Sequence, residues 1–548
     1  MPASGRLIDF TSRHGGLAAA VALAAALQIF IAARSPVIAL DGITFIELAQ
    51  ALEDNPRQTL ITFDQHPGYP ALLLATARVG RFLSGEAETP SLVWAGRIAS
   101  GVCGAACVVL VWLLTRHLFD RRIADVAAVV FAVVPLVRQN ATDVLSDTPH
   151  LAFYLLAAWC IAVGLSSARV GWFAAGGAAS GLAYWIRPEG LSVALIAVAV
   201  TFCWFVRPAG ARRFRVVLCL TATVAAAAVV VGPYMLLAGK FTSKKDAAMV
   251  QRRRPAHEVP FVNDEPADSA APEVAATPPT VSAPPVAAPR ANLVSRLCVA
   301  LAKYVEEVGY GFRYLLLVPL ACGHWAIGQI RPRASAYAWV WALALFHTAL
   351  LLWLHYSAGY IGHRHVIPLV ALGMPFVATG ACYLGQWAAR RWNRRACWTA
   401  GIAGAAVAAV VCLPAAVRPL NYASRPVVQA AVWVDHHRGT SSRVLANSLY
   451  VGFYARMPGE VLGVQWPDLQ TAMSAAAQYD FVVMEIDARR FRPPDEQLRT
   501  LGYATVQRFS GGPDRPWHQV RIYRRHTKTA RAAAEKTPQQ DASGAARF

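Results

Sequence analysis

Long apolar runs, separated by short polar stretches, fill the chain up to about residue 420. Runs of membrane length fall near 15–34, 92–114, 122–137, 148–166, 171–187, 190–206, 215–238, 310–329, 335–355, 365–387 and 397–417. A bilayer crossing takes about 20 such residues, so the pattern predicts about 11 transmembrane helices. The third run is short, and only Arg187-Pro188-Glu189-Gly190 separates the fifth from the sixth. The polar stretches have patterns of their own. "DGITFIELAQALEDNP", which opens at Asp41, sets Ile43, Ile46, Leu48 and Leu52 at helical spacing. That predicts an amphipathic helix, too short and too polar to span, lying in the interface. "FDQHPGYPALLLATARVGRFL" follows, and its Pro-Gly-Tyr-Pro turn opens a second apolar segment along or into the membrane.

Beyond residue 418 the period changes. Residues 443–448, 479–487, 503–509 and 518–525 read as strands, and 426–438 and 467–478 as helices. The expected architecture is a polytopic α-helical membrane module over residues 1–420, a small extracytoplasmic α/β domain over 421–525, and a disordered tail over 526–548. Between Pro255 and Pro289 lie nine prolines among alanines and acids. Such a stretch, about 255–290, buries no core and reads as a disordered outer loop.

Composition agrees with the run pattern. Of 548 residues, 56% are hydrophobic and 15% charged, where a soluble protein carries about a quarter charged. The net charge of +20 does not signal nucleic acid, because its arginines cluster in short segments between apolar runs. With the N-terminus in the cytoplasm, Arg116, Arg121, Arg122, Arg169, Arg207, Arg212, Arg213, Arg215, Arg331, Arg333, Arg390, Arg391, Arg394 and Arg395 all fall inside, as the positive-inside rule requires. The loops 35–91, 138–147 and 239–309 and everything after 418 then lie outside, which fits a multi-pass protein of a bacterial inner membrane. The first run, preceded by Arg6 and Arg13, is long for a cleavable signal and reads as a retained helix. The cysteines sit mostly in apolar runs and read as small packing residues; no CxxC or Cys/His metal spacing occurs.

Several motifs occur together in order: Asp41 after the first run, His66-Pro67-Gly68-Tyr69-Pro70, Arg97 in "WAGRIAS", Asp147 (with Asp143 as rival) in "LSDTPHLAFYLLA", Arg187-Pro188-Glu189-Gly190, and Arg364 with Pro368 in "HRHVIPLV". Over residues 15–420 this order resembles the membrane-embedded C-type (GT-C) glycosyltransferases that use polyprenyl-phosphate sugars. The subgroup it is similar to comprises protein O-mannosyltransferases, bacterial aminoarabinose transferases and rhizobial lipopolysaccharide galacturonosyltransferases. Family members often carry Asp-Glu where this chain has Asp41-Gly42. The resemblance implies Asp41 and Asp147 as catalytic carboxylates, with Asp41 the candidate general base. It implies Arg97, Arg187 and Arg364 at the donor phosphate, and His66, Tyr69 and Glu189 at the acceptor loop.

The chemistry accounts for the residue types. An acceptor hydroxyl must lose its proton as it displaces a phosphate from the anomeric carbon, and a carboxylate at the membrane edge, Asp41, can take it. The departing phosphate needs cations. The basic "GKFTSKKDAAMVQRRRP" segment, with Lys240, Lys244 and Lys245, lies outside where a lipid phosphate would sit. Each residue also has a plainer reading. Asp41 fits a solvated helix cap, the Arg-Pro-Glu-Gly stretch a polar turn, and the lysines contacts to lipid headgroups. Tyr184 and Trp185 fit interface anchors. His66 reads as ordering its loop; a divalent metal is the alternative, and no other cofactor is called for. The expected partners are a polyprenyl-phosphate sugar donor, a lipid, glycan or protein acceptor, and membrane lipids. The rival functions are a flippase for lipid-linked saccharides and a polysaccharide ligase or polymerase. A flippase would place charges mid-membrane and show internal repeats. A ligase would place its main patterned loop late in the chain.

Overall fold

Proline positions decide how the apolar runs are cut. In the computed structural model, which describes residues 3–63, 65–84, 91–205, 211–239, 241, 293–330, 332–391, 397–439, 442–456, 479–489, 493–511, 515 and 517–525, the 122–137 run is two helices, Arg121–Val133 and Pro135–Thr142, bent by 61°. Pro135 has no N–H to continue the first helix. The runs at 171–187 and 190–206 become helices Val170–Ile186 and Ser192–Phe205, joined by a 3₁₀ turn, Pro188–Leu191. Arg187, ahead of Pro188, is extended (φ −150°, ψ 139°), as a residue preceding proline must be.

Six helices among the described residues are long and apolar enough to cross a membrane: Gly15–Arg34, Leu92–Leu118, Asp147–Ser167, Arg213–Ala238, Ala334–Ala358 and His363–Arg391. The bent pair makes a seventh, and three shorter apolar helices, Pro188–Cys203, Leu317–Gly328 and Ala406–Ala416, accompany them. Among the described residues, six or seven of the eleven runs are thus helices of full crossing length. Pro135 and the Pro188 turn cut two of the runs, while helix Cys397–Ala416 keeps its full 20 residues. A second difference falls in the stretch read as loop up to residue 309, where Leu293–Gly311 forms a helix. Its apolar residues recur at helical spacing, but Lys303, Glu306 and Glu307 disqualify it as a span.

The described residues form two compact units: 1–30 with 48–418, and 31–47 with 419–548. In the first, one core gathers Val108, Val111, Ala127, Phe131, Leu155, Val370 and Met374 from several helices. Large apolar side chains stand exposed along the long helices of this unit, among them Ile98, Val102, Val224, Val229 and Trp353, as lipid-facing residues should.

The second unit holds a four-stranded sheet in the order β1 (Val444–Ala446), β2 (Phe481–Asp487), β4 (His518–Arg525), β3 (Tyr503–Ser510). β1 and β2 are parallel and the other pairs antiparallel. Alternation sends Phe481, Val483, Val520 and Ile522 to one face, against Val427, Ala430, Ala431 and Val434 of helix Arg425–His437. Val482, Met484, Ile486 and Tyr523 go to the other. The expected helix at 467–478 and the tail at 526–548 lie outside the described residues. This unit also includes 31–47, which the sequence pattern assigned to the membrane module. Its backbone is tied there by hydrogen bonds: Leu420 N–H donates to Ser35 Oγ (2.8 Å), Asn421 Nδ2 to the Val37 carbonyl (3.4 Å), and Ile38 N–H to Tyr454 Oη (3.1 Å).

Candidate functional site

In the first unit a cavity of about 190 Å³ opens among residues from four stretches of chain. Asp147 and His150 come from the first turn of helix Asp147–Ser167, three residues apart and so on one face. Arg187 and Glu189 come from the turn that follows Val170–Ile186. Arg364 and His365 come from the 3₁₀ turn His363–Val366, and His347 with Leu350, Leu351, Trp353 and Leu354 from helix Ala334–Ala358. One wall is apolar and the other carries the charges.

Each polar residue is held by local structure. Arg187 Nη2 lies 2.9 Å from Asp147 Oδ1, and its Nε donates to Ser146 Oγ at 3.1 Å. The pair is well buried, with 16% and 3% of the two side chains exposed. The Arg-Pro-Glu-Gly turn is stapled by buried Ser180, whose Oγ donates to the Gly190 carbonyl (2.7 Å) and accepts the Ala194 N–H (3.1 Å). Gly190 is required there, because a Cβ would run into the backbone of Ala183 and Tyr184. In the third stretch, His365 Nδ1 accepts the Gly362 N–H at 2.9 Å. A backbone N–H only donates, so Nδ1 is bare and a neutral His365 carries its proton on Nε2. His347 Nε2 meets the His365 carbonyl at 2.9 Å and is therefore the donor.

Of the residues singled out in the sequence, Asp147, Arg187, Glu189 and Arg364 share this cavity. Others are not among its lining residues. Tyr69 is buried, its hydroxyl meeting Ser100 Oγ (3.0 Å) and the Gly96 carbonyl (3.3 Å). Ser100 Oγ continues to the Leu145 carbonyl (3.3 Å), so Tyr69 braces the loop that precedes Asp147. Arg97, next to Gly96, lies over the Trp94 ring at 5.4 Å. His66 is buried edge-on to Tyr184 (centroids 5.1 Å) and beside Tyr234 (5.7 Å). Gly68 backs onto the Arg187 turn, where a Cβ would lie 2.5 Å from the Trp185 carbonyl oxygen. Tyr184 and Trp185, read as interface anchors, thus pack in the protein: Trp185 Nε1 donates to the Val230 carbonyl at 2.8 Å. Asp143 is buried, with Oδ1 accepting the Val144 N–H at 2.8 Å.

Asp41 stands in the second unit, half-buried in the first turn of helix Leu40–Asp54. A carboxylate there is favoured by the helix dipole whatever else it does. Lys240, Lys244 and Lys245 lie outside the described residues. Among those described, no three His, Cys, Asp or Glu side chains come together in a way that could hold a metal ion.

Sequence reasoning missed His150, His347 and His365. His150 lies one turn after Asp147, and His365 directly follows Arg364, so spacing could have flagged both. A single His in the apolar run of His347 carries no such signal.

Residues 90–236, which include Arg97, Asp147, Arg187 and Glu189, match the family described as dolichyl-phosphate-mannose-protein mannosyltransferase. No curated protein matches the chain in sequence. The structure of ArnT from Cupriavidus metallidurans in the apo state is similar with a TM-score of 0.56 at 15% identity, over 96% of this chain and 100% of that one. The same protein bound to undecaprenyl phosphate is similar with a TM-score of 0.56 at 15% identity, over 93% and 98%. The archaeal oligosaccharyltransferase AglB from Archaeoglobus fulgidus, in complex with an inhibitory peptide and a dolichol-phosphate, is similar with a TM-score of 0.54 at 12% identity, over 88% and 70%. At these identities the likeness is one of fold. The fold shared with ArnT and AglB agrees with the resemblance drawn from the motif order.

Proposed function

We propose, from this C-type fold, that the chain is a glycosyltransferase that moves one sugar from a polyprenyl-phosphate donor to an extracytoplasmic lipid, glycan or protein, with inversion at the anomeric carbon. The observation that carries the reading is the cavity, where two arginines, two carboxylates and three imidazoles converge in a unit built of membrane-length helices. Arg187 and Arg364 suit a phosphate, since guanidinium offers forked, permanently charged donors. The apolar wall of Leu350, Leu351, Trp353 and Leu354 suits a prenyl chain. The match of residues 90–236 to the dolichyl-phosphate-mannose-protein mannosyltransferase family and the undecaprenyl phosphate bound to ArnT support the same donor class.

In the proposed step the acceptor oxygen bonds to the anomeric carbon as the bond from that carbon to the phosphate oxygen breaks. The hydroxyl proton passes to Asp41, and the carrier leaves as polyprenyl phosphate, its charge met by Arg187 and Arg364. Asp147 orients Arg187. Lys240, Lys244 and Lys245 add cations for the donor phosphate, Arg97 a further one, and His66, Tyr69 and Glu189 shape the acceptor side. The active face is extracytoplasmic. The test is single-turnover transfer by purified protein from a panel of undecaprenyl-phosphate sugars. Carrier released in step with glycosylated acceptor supports the reading; carrier moved across a vesicle membrane with its sugar intact supports a flippase instead.

A further inference from the structure

The helix Leu293–Gly311 has two unlike faces. Val294, Leu297, Leu301 and Val305 stand exposed along one. On the other, Glu307 is wholly buried, at 0% exposure. A lone carboxylate would not tolerate such a site without partners, and it has two. Lys303, one turn back, brings Nζ within 3.0 Å of Oε1, and His363 Nδ1 hydrogen-bonds to Oε2. The His363 ring also stacks on Tyr310 of the same helix, with centroids 4.0 Å apart and planes at 23°.

His363 opens the four-residue turn whose next two members, Arg364 and His365, line the cavity. The far side of that turn is already fixed by the Gly362–His365 and His347–His365 hydrogen bonds. The His365 N–H donates to the Gly362 carbonyl at 2.9 Å and closes the turn around His363 and Arg364, so an anchor on His363 bears on the direction of Arg364. We propose that Glu307 is the positioning residue of the cavity: through His363 it fixes the turn that aims Arg364 and His365 at a donor phosphate. This rests on the reading of the cavity as a lipid-phosphate site. Burial opposes charge on Glu307, but the hydrogen bonds from His363 and Lys303 outweigh it and hold its carboxyl below the usual range.

Two measurements on the full-length protein in detergent test this: equilibrium binding of undecaprenyl phosphate, and hydrogen exchange of the Gly362–Val366 amides. Glu307→Gln should weaken binding about tenfold or more, the range in which partners one shell behind a ligand act, and speed exchange in this turn ahead of the other helices. Glu307→Asp, which keeps the charge on a shorter arm, should recover part of both. Arg364→Gln should lose binding while exchange in the turn stays at the wild-type rate. Unchanged exchange in Glu307→Gln overturns the positioning role, whatever happens to binding. So does uniformly faster exchange with a lowered melting temperature and no recovery in Glu307→Asp, because Glu307 would then be a general clamp of the fold. Wild-type protein that binds no undecaprenyl phosphate overturns the donor reading, and the exchange result still decides the positioning role.

Discussion

Two sites in the first unit and two in the second handle charge in opposite ways. In the first, Asp147 meets Arg187 with 3% and 16% of their side chains exposed, and Glu307 meets Lys303 and His363 at 0% exposure. In the second, Asp495 meets Arg521 and Tyr523 with 40% of its side chain exposed, and Asp41 is half-buried at a helix start. The buried carboxylates Asp147 and Glu307 depend on their partners, because burial leaves them little solvent contact. Asp495 and Asp41 can fall back on solvent. The difference separates residues that can be neutralised quietly, leaving only chemistry to change, from residues whose neutralisation disturbs the fold.

Asp41 gives the largest expected effect. Asp41→Asn keeps the shape of the side chain and removes the base, so transfer in a single turnover should fall about 10²–10⁴-fold while the melting temperature stays at the wild-type value. A rate within a few-fold of wild type would reduce Asp41 to the solvated helix start that its position equally permits.

Arg187→Met tests the other side of the comparison. It leaves Asp147 buried without its ion-pair partner, a loss that typically costs about 3–5 kcal/mol. The melting temperature in detergent should drop accordingly. The double variant Arg187→Met with Asp147→Leu should regain most of that stability, since an apolar replacement of a whole buried pair is often neutral, yet remain unable to bind the donor. A single variant as stable as wild type would mean that water reaches the pair, and the contrast between the units would fail there.

Much of this was legible in the chain, and what was missed has physical causes. The strands of the second unit could be read because alternation has a short period and each strand supplies its own signal. The Arg-Pro-Glu-Gly turn could be read because Pro188 forces Arg187 into extended backbone. The cut in the 122–137 run could not. Hydropathy marks where apolar residues run, and Pro135 breaks a run without altering its hydropathy. Glu307 was missed for a related reason: it lies on the inner face of a helix too polar to register as a span. The grouping of 31–47 with the C-terminal unit rests on Ser35, Val37, Ile38, Asn421 and Tyr454 meeting across almost the whole sequence. No local pattern records such contacts.

Tyr454 turns that grouping into a smaller prediction. Its hydroxyl accepts the Ile38 N–H (3.1 Å) and donates to the Pro36 carbonyl (3.3 Å), three to five residues before Asp41. Tyr454→Phe should cost about 1 kcal/mol and speed exchange of the Ile38 amide. Equal exchange in the two proteins would show that 31–47 is held by other means.

The smallest effect belongs to Asp495. Burial works to raise its carboxyl, but hydrogen bonds from Tyr523 and Arg521 outweigh it and hold it below the usual value. A carboxyl lowered on folding stabilises the folded state fully above its unfolded pKa, about 3.9. That stabilisation is lost as pH falls through the lower folded value. The difference in melting temperature between wild type and Asp495→Asn should therefore be constant near neutrality and shrink only below about pH 4. Because the carboxylate is partly exposed, solvent screens the pair and the difference stays small at every pH. The same titration of Glu307 against Glu307→Gln should show the same sign with a larger amplitude, since that carboxylate has no solvent behind it. Equal amplitudes at the two sites would erase the distinction between the units.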